Sequence, residues 1–178
     1  RPDVLNDMDD RLPQELADAV QQANAVPSIH VIVLSGAGKA FCAGYDLDFY
    51  AQSTSGPGSE LTQEMPWDPI RDFAFMKRNT DLFMEIFRSL KPVICKVHGF
   101  AVAGGSDIAL CSDIVIMSET AEIGYMLARV WGCPTTPMRV YRLGPARAQP
   151  MLLHRPKIQG RAAERTPPLL RAGPQERL

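Results

Sequence analysis

The chain has 178 residues, 46% hydrophobic and 22% charged, which is enough apolar mass for one globular domain with a single core. Its net charge of −1 excludes a general pull toward nucleic acid or anionic membranes, and no apolar run approaches membrane-spanning length. Cys42, Cys95, Cys111 and Cys133 are widely spaced and form neither a CxxC pair nor a zinc pattern. With no signal sequence at the start, they imply a reduced, cytoplasmic setting.

Leu12, Leu16, Val20 and Ala23 fall at helical spacing, with Asp9 or Asp10 as the cap. The β-branched run His30-Val31-Ile32-Val33-Leu34 predicts a buried strand that ends at Ser35-Gly36-Ala37-Gly38. Residues 54–69, rich in Gly, Pro and Ser, read as a mobile excursion. A second helix carries Phe75, Met76, Leu82, Phe83, Ile86, Phe87 and Leu90 on one broad apolar face. After Pro92 come a buried strand at 93–97, a small-residue turn at 99–105, a short helix at 106–111 and a third strand at 113–117.

Strands alternating with helices predict a parallel α/β sheet with right-handed crossovers. No repeat or linker divides the chain, so residues 1–153 read as one core. Residues 154–178 read as an irregular tail of the same domain, because His154-Arg155-Pro156 and Thr166-Pro167-Pro168 interrupt any helix or strand. The arginine-rich stretch from Arg139 to Arg177 reads as a solvated face, a flexible tail or an anion-attracting patch.

Two glycine-rich loops each follow a predicted strand, where ligands of α/β sheets usually bind. The first is Lys39-Ala40-Phe41-Cys42-Ala43-Gly44-Tyr45-Asp46-Leu47. The second, Gly99-Phe100-Ala101-Val102-Ala103-Gly104-Gly105-Ser106-Asp107, also opens a helix, whose N-terminus favours negative charge. One backbone N–H from each loop can hold a single oxygen, as in an oxyanion hole. The bland reading of either loop alone is a tight turn with nothing bound. Ser106 with His98 and Asp113 does not make a serine hydrolase, since Ile108 stands where the nucleophile elbow needs glycine. Neither loop matches G-x-G-x-x-G or a Walker sequence.

Phe41-Cys42-Ala43-Gly44-Tyr45-Asp46-Leu47 resembles the F-x-A-G-x-D-[LI] loop of the crotonase (enoyl-CoA hydratase/isomerase) superfamily. His98 to Gly105 is similar to that family's x-G-x-x-x-G-G-G segment, and Ser106-Asp107 with Cys111-Ser112-Asp113 continues the match. Arg1-Pro2-Asp3-Val4-Leu5-Asn6 is similar to its early R-P-x-x-x-N motif, so the likeness runs from Arg1 to about Ile158. It implies an α/β, crotonase-like ββα spiral of strand–loop–helix units.

The resemblance also implies an acyl-CoA thioester substrate whose enolate is held by the backbone N–H groups of Tyr45 and Gly104. Ala43, Tyr45, Asp46, Leu47, Asp48 and Gly104 would border the substrate and its CoA, and Asp107 would be the acid/base. No metal and no separate cofactor is implied, coenzyme A being part of the substrate, and neither nucleic acid nor membrane is a partner. Family homotrimers or hexamers are expected to be weakened here, because the chain stops before the C-terminal helices; it also begins inside the early motif, so the strand expected before Arg1 is absent. A fragment, an incompletely represented chain and a degenerate gene product all fit those ends.

One departure bears on chemistry: Leu127 stands where hydratases of the family carry a second glutamate. Hydration by two carboxylates is therefore in doubt, and a catalytically silent acyl-CoA-binding or scaffold relative is the alternative. Glu119 and Glu122 read as solvated surface acids, and Asp68 and Asp72 as charges near the excursion.

Overall fold

The computed structural model describes residues 1–48, 66, 68–125, 136–153, 157–165, 169–171 and 173–174. At the centre lies β2 (Val93–Val97), whose β-branched residues favour an extended chain. On one side it pairs with β1 (Ile32–Ser35) and on the other with β4 (Ile114–Met117), both parallel. β7 (Leu169–Arg171) adds a fourth parallel strand beside β4. Parallel neighbours require a crossover. α2 (Pro69–Phe87) precedes β2, and α3 (Gly104–Cys111) precedes β4.

A smaller sheet sets β3 (Phe100–Val102) parallel to β5 (Glu122–Gly124), with β6 (Ile158–Gln159) antiparallel on the far side of β5. Cys95, Val97, Val115 and Met117 from the larger sheet are buried in one cluster with Phe83 and Ile86 of α2 and Ile108 and Leu110 of α3. The α/β reading from strand–helix alternation holds. Among the described residues, no helix is long and apolar enough to cross a membrane.

Helix α1 (Leu12–Ala25) begins where Asp9 Oδ1 accepts the Arg11 and Leu12 N–H groups, each at 3.1 Å. It buries Ala17 and Val20 and packs against α2. Asp68 caps α2 by accepting the Ile70 N–H at 2.9 Å.

Four expectations need correction. α2 ends at Phe87, so Leu90 lies beyond it, 86% exposed, and does not join the apolar face. The segment 99–105 is more than a turn, because β3 runs through it. The stretch 154–178, read as irregular, holds β6 and β7, and β7 completes the parallel sheet. α4 (Met138–Leu143) turns Arg139 into the core, while Arg142 Nη2 donates to the Ser112 carbonyl at 2.7 Å, so this end of the arginine-rich stretch is no solvated face. It is followed by α5 (Pro145–Leu153).

The N-terminal segment is laced onto the loop after β1. Asn6 Nδ2 donates to the carbonyls of Ala37 at 2.7 Å and Ala40 at 2.8 Å. The Ala43 N–H donates to Leu5 O, Met8 N–H to Gly44 O and Asp46 N–H to Met8 O. Leu5 and Asn6 both sit in the left-handed region, which asparagine tolerates better than most residues. Arg1 reaches Asp46 Oδ2 at 2.8 Å.

Asn6 therefore supplies both N–H donors of its amide and a tolerable backbone. Asn6→Ala should lose about 0.5–1.5 kcal/mol of stability through the lost hydrogen bonds, chiefly the part-buried one to Ala40. Asn6→Gly, which relaxes the backbone but lacks the amide, should recover only part of it. Urea denaturation of the three proteins checks this; an unchanged midpoint for Asn6→Ala would show the clasp to be idle.

Candidate functional site

The loop 41–46 is held on its other edge by the second loop. Phe41 N–H donates to His98 O, Cys42 N–H to Phe100 O and Val102 N–H to Cys42 O, so it behaves as an extra strand beside β3. This brings the two glycine-rich segments into contact. A Cβ on Gly44 would lie 2.7 Å from Ala103 Cβ and 3.6 Å from the Gly104 nitrogen, and Gly44 has φ +95°. A Cβ on Gly105 would lie 2.5 Å from the Cys42 carbonyl oxygen, an impossible approach. One on Gly104 would meet Met8 Cε at 2.1 Å and Tyr45 Cε2 at 3.2 Å. Gly44 and Gly105 leave no room for a side chain, whereas the atoms facing Gly104 are the ends of the Met8 and Tyr45 side chains.

Ala103 turns the chain from β3 into α3 with φ 52° and ψ −126°, a costly conformation for a residue with a Cβ. Its own N–H donates to Gly124 O at 3.1 Å, which fixes the turn against β5. Gly104 is the first residue of α3, so its N–H has no carbonyl one turn back within the helix. It points from the positive end of the helix dipole, where developing negative charge is favoured.

Tyr45 is half-buried, and its hydroxyl accepts a hydrogen bond from Asn79 Nδ2 of α2 at 3.3 Å. Burial pushes the Tyr45 phenol well above its ordinary range, opposed by the Asn79 bond and reinforced by the charge of Asp107. Asn79 itself is 2% exposed. Burial likewise pushes the Cys42 thiol up to about 11, which keeps it a protonated core group.

Asp107, one turn along α3 from Gly104, is 1% exposed and not solvated. Arg139 Nη2 from α4 contacts Asp107 Oδ1 at 3.1 Å, and Thr136 Oγ1 donates to the same oxygen at 3.3 Å. The same Nη2 donates to Ser106 Oγ at 2.6 Å, and the guanidinium carbon lies 4.2 Å from the centre of the Tyr125 ring. Arg139 is also 1% exposed.

Of the residues singled out from the sequence, Tyr45, Gly104 and Asp107 thus share one neighbourhood. Ala43 is half-buried beside them, and Leu47 and Asp48 are exposed at the rim. The Asp46 carboxylate is engaged by Arg1. His98 Nε2 lies 2.9 Å from the Gly38 carbonyl, and Asp113 Oδ2 accepts the Val93 N–H, so neither forms a triad with Ser106. Glu122 pairs with Lys157, which holds its carboxyl below its ordinary value. Leu127, Cys133 and the side chain of Asp72 lie outside the described residues. Among the described residues, no cluster of His, Cys, Asp or Glu could hold a metal.

Asn79, Ser106 as an acceptor, Tyr125, Thr136 and Arg139 were not anticipated as site residues. Asn79 stands in a helix read only for its apolar face. Arg139 is separated from Asp107 by 32 positions and carries the residue type least expected in a core.

The sequence profile of the enoyl-CoA hydratase/isomerase family matches residues 1–177. The chain is 33% identical over 124 residues to the 1,2-epoxyphenylacetyl-CoA isomerase of Escherichia coli K12, covering 68% of this chain and 43% of that protein. It is 30% identical over 125 residues to the crotonyl-CoA hydratase of Syntrophomonas wolfei, covering 70% of this chain and 43% of that protein. The crystal structure of an enoyl-CoA hydratase from Mycobacterium smegmatis superposes with a TM-score of 0.86 at 38% identity, over 99% of this chain and 61% of that one. This chain therefore spans somewhat under half the length of those two curated relatives. With the two loops joined at the seam of Gly44 and Gly104, and with a family match along almost its whole length, the chain belongs to the enoyl-CoA hydratase/isomerase family and has the crotonase fold.

Proposed function

We propose that this chain binds an acyl-CoA thioester and stabilises its enolate between the backbone N–H groups of Tyr45 and Gly104. The observation that carries the reading is the contact of Gly44 with Ala103 and Gly104, which sets the two donor-bearing loops side by side at strand ends. Each such donor typically contributes about 3–4 kcal/mol to the transition state. Because the donors are backbone groups, they are fixed by the hydrogen bonds on both sides of loop 41–46 and need no side-chain ordering.

Ala43, Tyr45, Leu47 and Asp48 are suited to border the CoA, with Asp46 contributing through its backbone while its carboxylate holds Arg1. No separate cofactor is required. A trimeric or hexameric assembly and a cytoplasmic site of action belong to the same reading.

Asp107 is the group that moves the proton. Isomerisation needs one residue to remove a proton near the thioester and return it elsewhere, and a single carboxylate can do both. Hydration also needs water held at the β-carbon, and Leu127 offers no base for it. A reaction of the isomerase type, as named for the Escherichia coli relative, is therefore favoured over water addition. A second reading, a binding protein without turnover, draws support from the depth at which Asp107 is buried and paired. Turnover of a short enoyl-CoA, set beside a direct binding measurement, separates the two.

Two variants test the site. Gly104→Pro removes the N–H at the first helical position and should lower kcat by about 10²–10³-fold relative to Gly104→Ala, which sets the same Cβ against Met8 Cε and Tyr45 Cε2 but keeps the N–H. Unchanged turnover would refute the oxyanion assignment. Leu127→Glu should raise crotonyl-CoA hydration by about 10²-fold or more over the parent, since a positioned acid/base contributes about 10²–10⁴-fold. Efficient hydration by the parent protein would overturn the preference for isomerisation.

A further inference from the structure

We infer that Arg139 is the positioning residue that holds Asp107 as a carboxylate, so that the reaction starts with Asp107 accepting a proton. This rests on the acyl-CoA reading of the site.

Arg139 and Asp107 are both 1% exposed and lie 3.1 Å apart. A guanidinium keeps its charge at any pH at which the protein is folded. Protonating Asp107 would therefore leave a buried cation with no counter-charge among the described residues, which the interior disfavours more strongly than it does the pair. The balance leans further the same way because Arg139 Nε and Nη1 are buried without a hydrogen-bond partner among the described residues. The guanidinium has more donors than acceptors, and neutralising Asp107 would worsen the deficit. Thr136 adds a donor to the same carboxylate oxygen.

The other ionisable groups around Asp107 cannot substitute for Arg139. Tyr45, from the first loop, and Cys111, one turn further along α3, both sense the Asp107 charge, and burial pushes both up, Cys111 to about 12. They stay neutral. Arg142 lies on the same helix as Arg139 but donates to the Leu110 and Ser112 carbonyls. α2 presents the uncharged Asn79 to the Tyr45 hydroxyl. Arg139 also reaches the oxyanion side, because Ser106 Oγ accepts its Nη2 and in turn donates to the Ala103 carbonyl at 2.6 Å. One side chain thereby fixes both the base and the residue that precedes the Gly104 amide.

In the step this implies, the Asp107 carboxylate takes a proton from a carbon conjugated with the thioester. The C–H electron pair passes into the enolate, leaving the charge on the thioester oxygen at the Tyr45 and Gly104 amides. The same proton returns to another carbon of the conjugated system, so the double bond moves and nothing else is consumed.

The test uses the full chain labelled with [¹³C]aspartate, the Asp107 carboxyl resonance being identified by its loss in Asp107→Asn. In the parent protein the resonance should stay at the carboxylate position from about pH 8 to about pH 5. In Arg139→Gln the midpoint should rise by at least about one unit, and the acid limb of kcat/KM for isomerisation should rise with it, an approximately tenfold loss at low pH. Arg139→Lys, which keeps the charge, should fall between the two and serves if Arg139→Gln does not fold.

A parent resonance that titrates within that window, or a folded Arg139→Gln whose resonance and pH profile match the parent's, overturns the proposal. If no variant turns over but the resonance moves as stated, the clamp stands and the acyl-CoA reading falls. If turnover is normal and the resonance does not move, the reading stands and the clamp falls.

Discussion

The candidate site depends on a single stretch of backbone, residues 41–46, being hydrogen-bonded along both edges. On one side Leu5, Met8 and Gly44 exchange bonds across the N-terminal segment, and on the other Phe41, Cys42 and Val102 tie the stretch to the start of β3. A loop bonded on one edge can swing about that edge; one bonded on both cannot. Fixing ordinary backbone costs about 1–2 kcal/mol of entropy per residue, and here that cost is met during folding rather than when substrate arrives. Donors aimed in advance are the ones that count toward a transition state. The glycines of the seam are required by space: any Cβ at Gly105 would occupy the Cys42 carbonyl.

The buried pair of Arg139 and Asp107 follows a different physical logic. A buried ion pair is seldom a gain over well-packed apolar groups, because desolvating two charges offsets their attraction. Breaking one is expensive, at about 3–5 kcal/mol when a lone charge is left behind. The pair is thus poor evidence for stability and better evidence for a constraint on the protonation and orientation of Asp107. Stacking of the guanidinium on Tyr125 and its bond to Ser106 restrict it further. Two guanidinium nitrogens without a partner among the described residues are a cost that a purely structural core residue would not be expected to carry.

The backbone part of this arrangement was legible in the sequence and the side-chain part was not, for physical reasons. β1, β2 and β4 are runs of β-branched residues bounded by Pro and Gly, a pattern with short-range causes that one sequence carries openly. The glycine loops were legible because glycine marks close backbone approach. β3 was missed because a strand of three residues leaves no periodicity to count, and β7 because its pairing with β4 is wholly non-local. The pattern also carried α2 as far as Leu90, although the helix stops at Phe87. Arg139 lay in a stretch whose composition spoke for solvent. Only the fold, by bringing α4 over α3, shows that its charge faces inward.

This separation suggests where members of the family can differ in chemistry while sharing a fold. Backbone donors are indifferent to most side-chain replacements, so the enolate-stabilising part can persist when little else does. The choice of reaction must then rest on the groups around the acyl carbons, which in the proposed reading are Asp107 under Arg139, the Tyr45 hydroxyl under Asn79 and, in the sequence, Leu127 in place of an acid. Relatives at about the same identity carry both isomerase and hydratase names, as that view requires. A carboxylate that is ionised before substrate arrives can remove a proton at once but has none to give to an incoming acyl chain. On the clamp inferred for Arg139, the direction of the first proton transfer is set by a residue that need not touch the substrate, through the placement of α4 rather than of either loop.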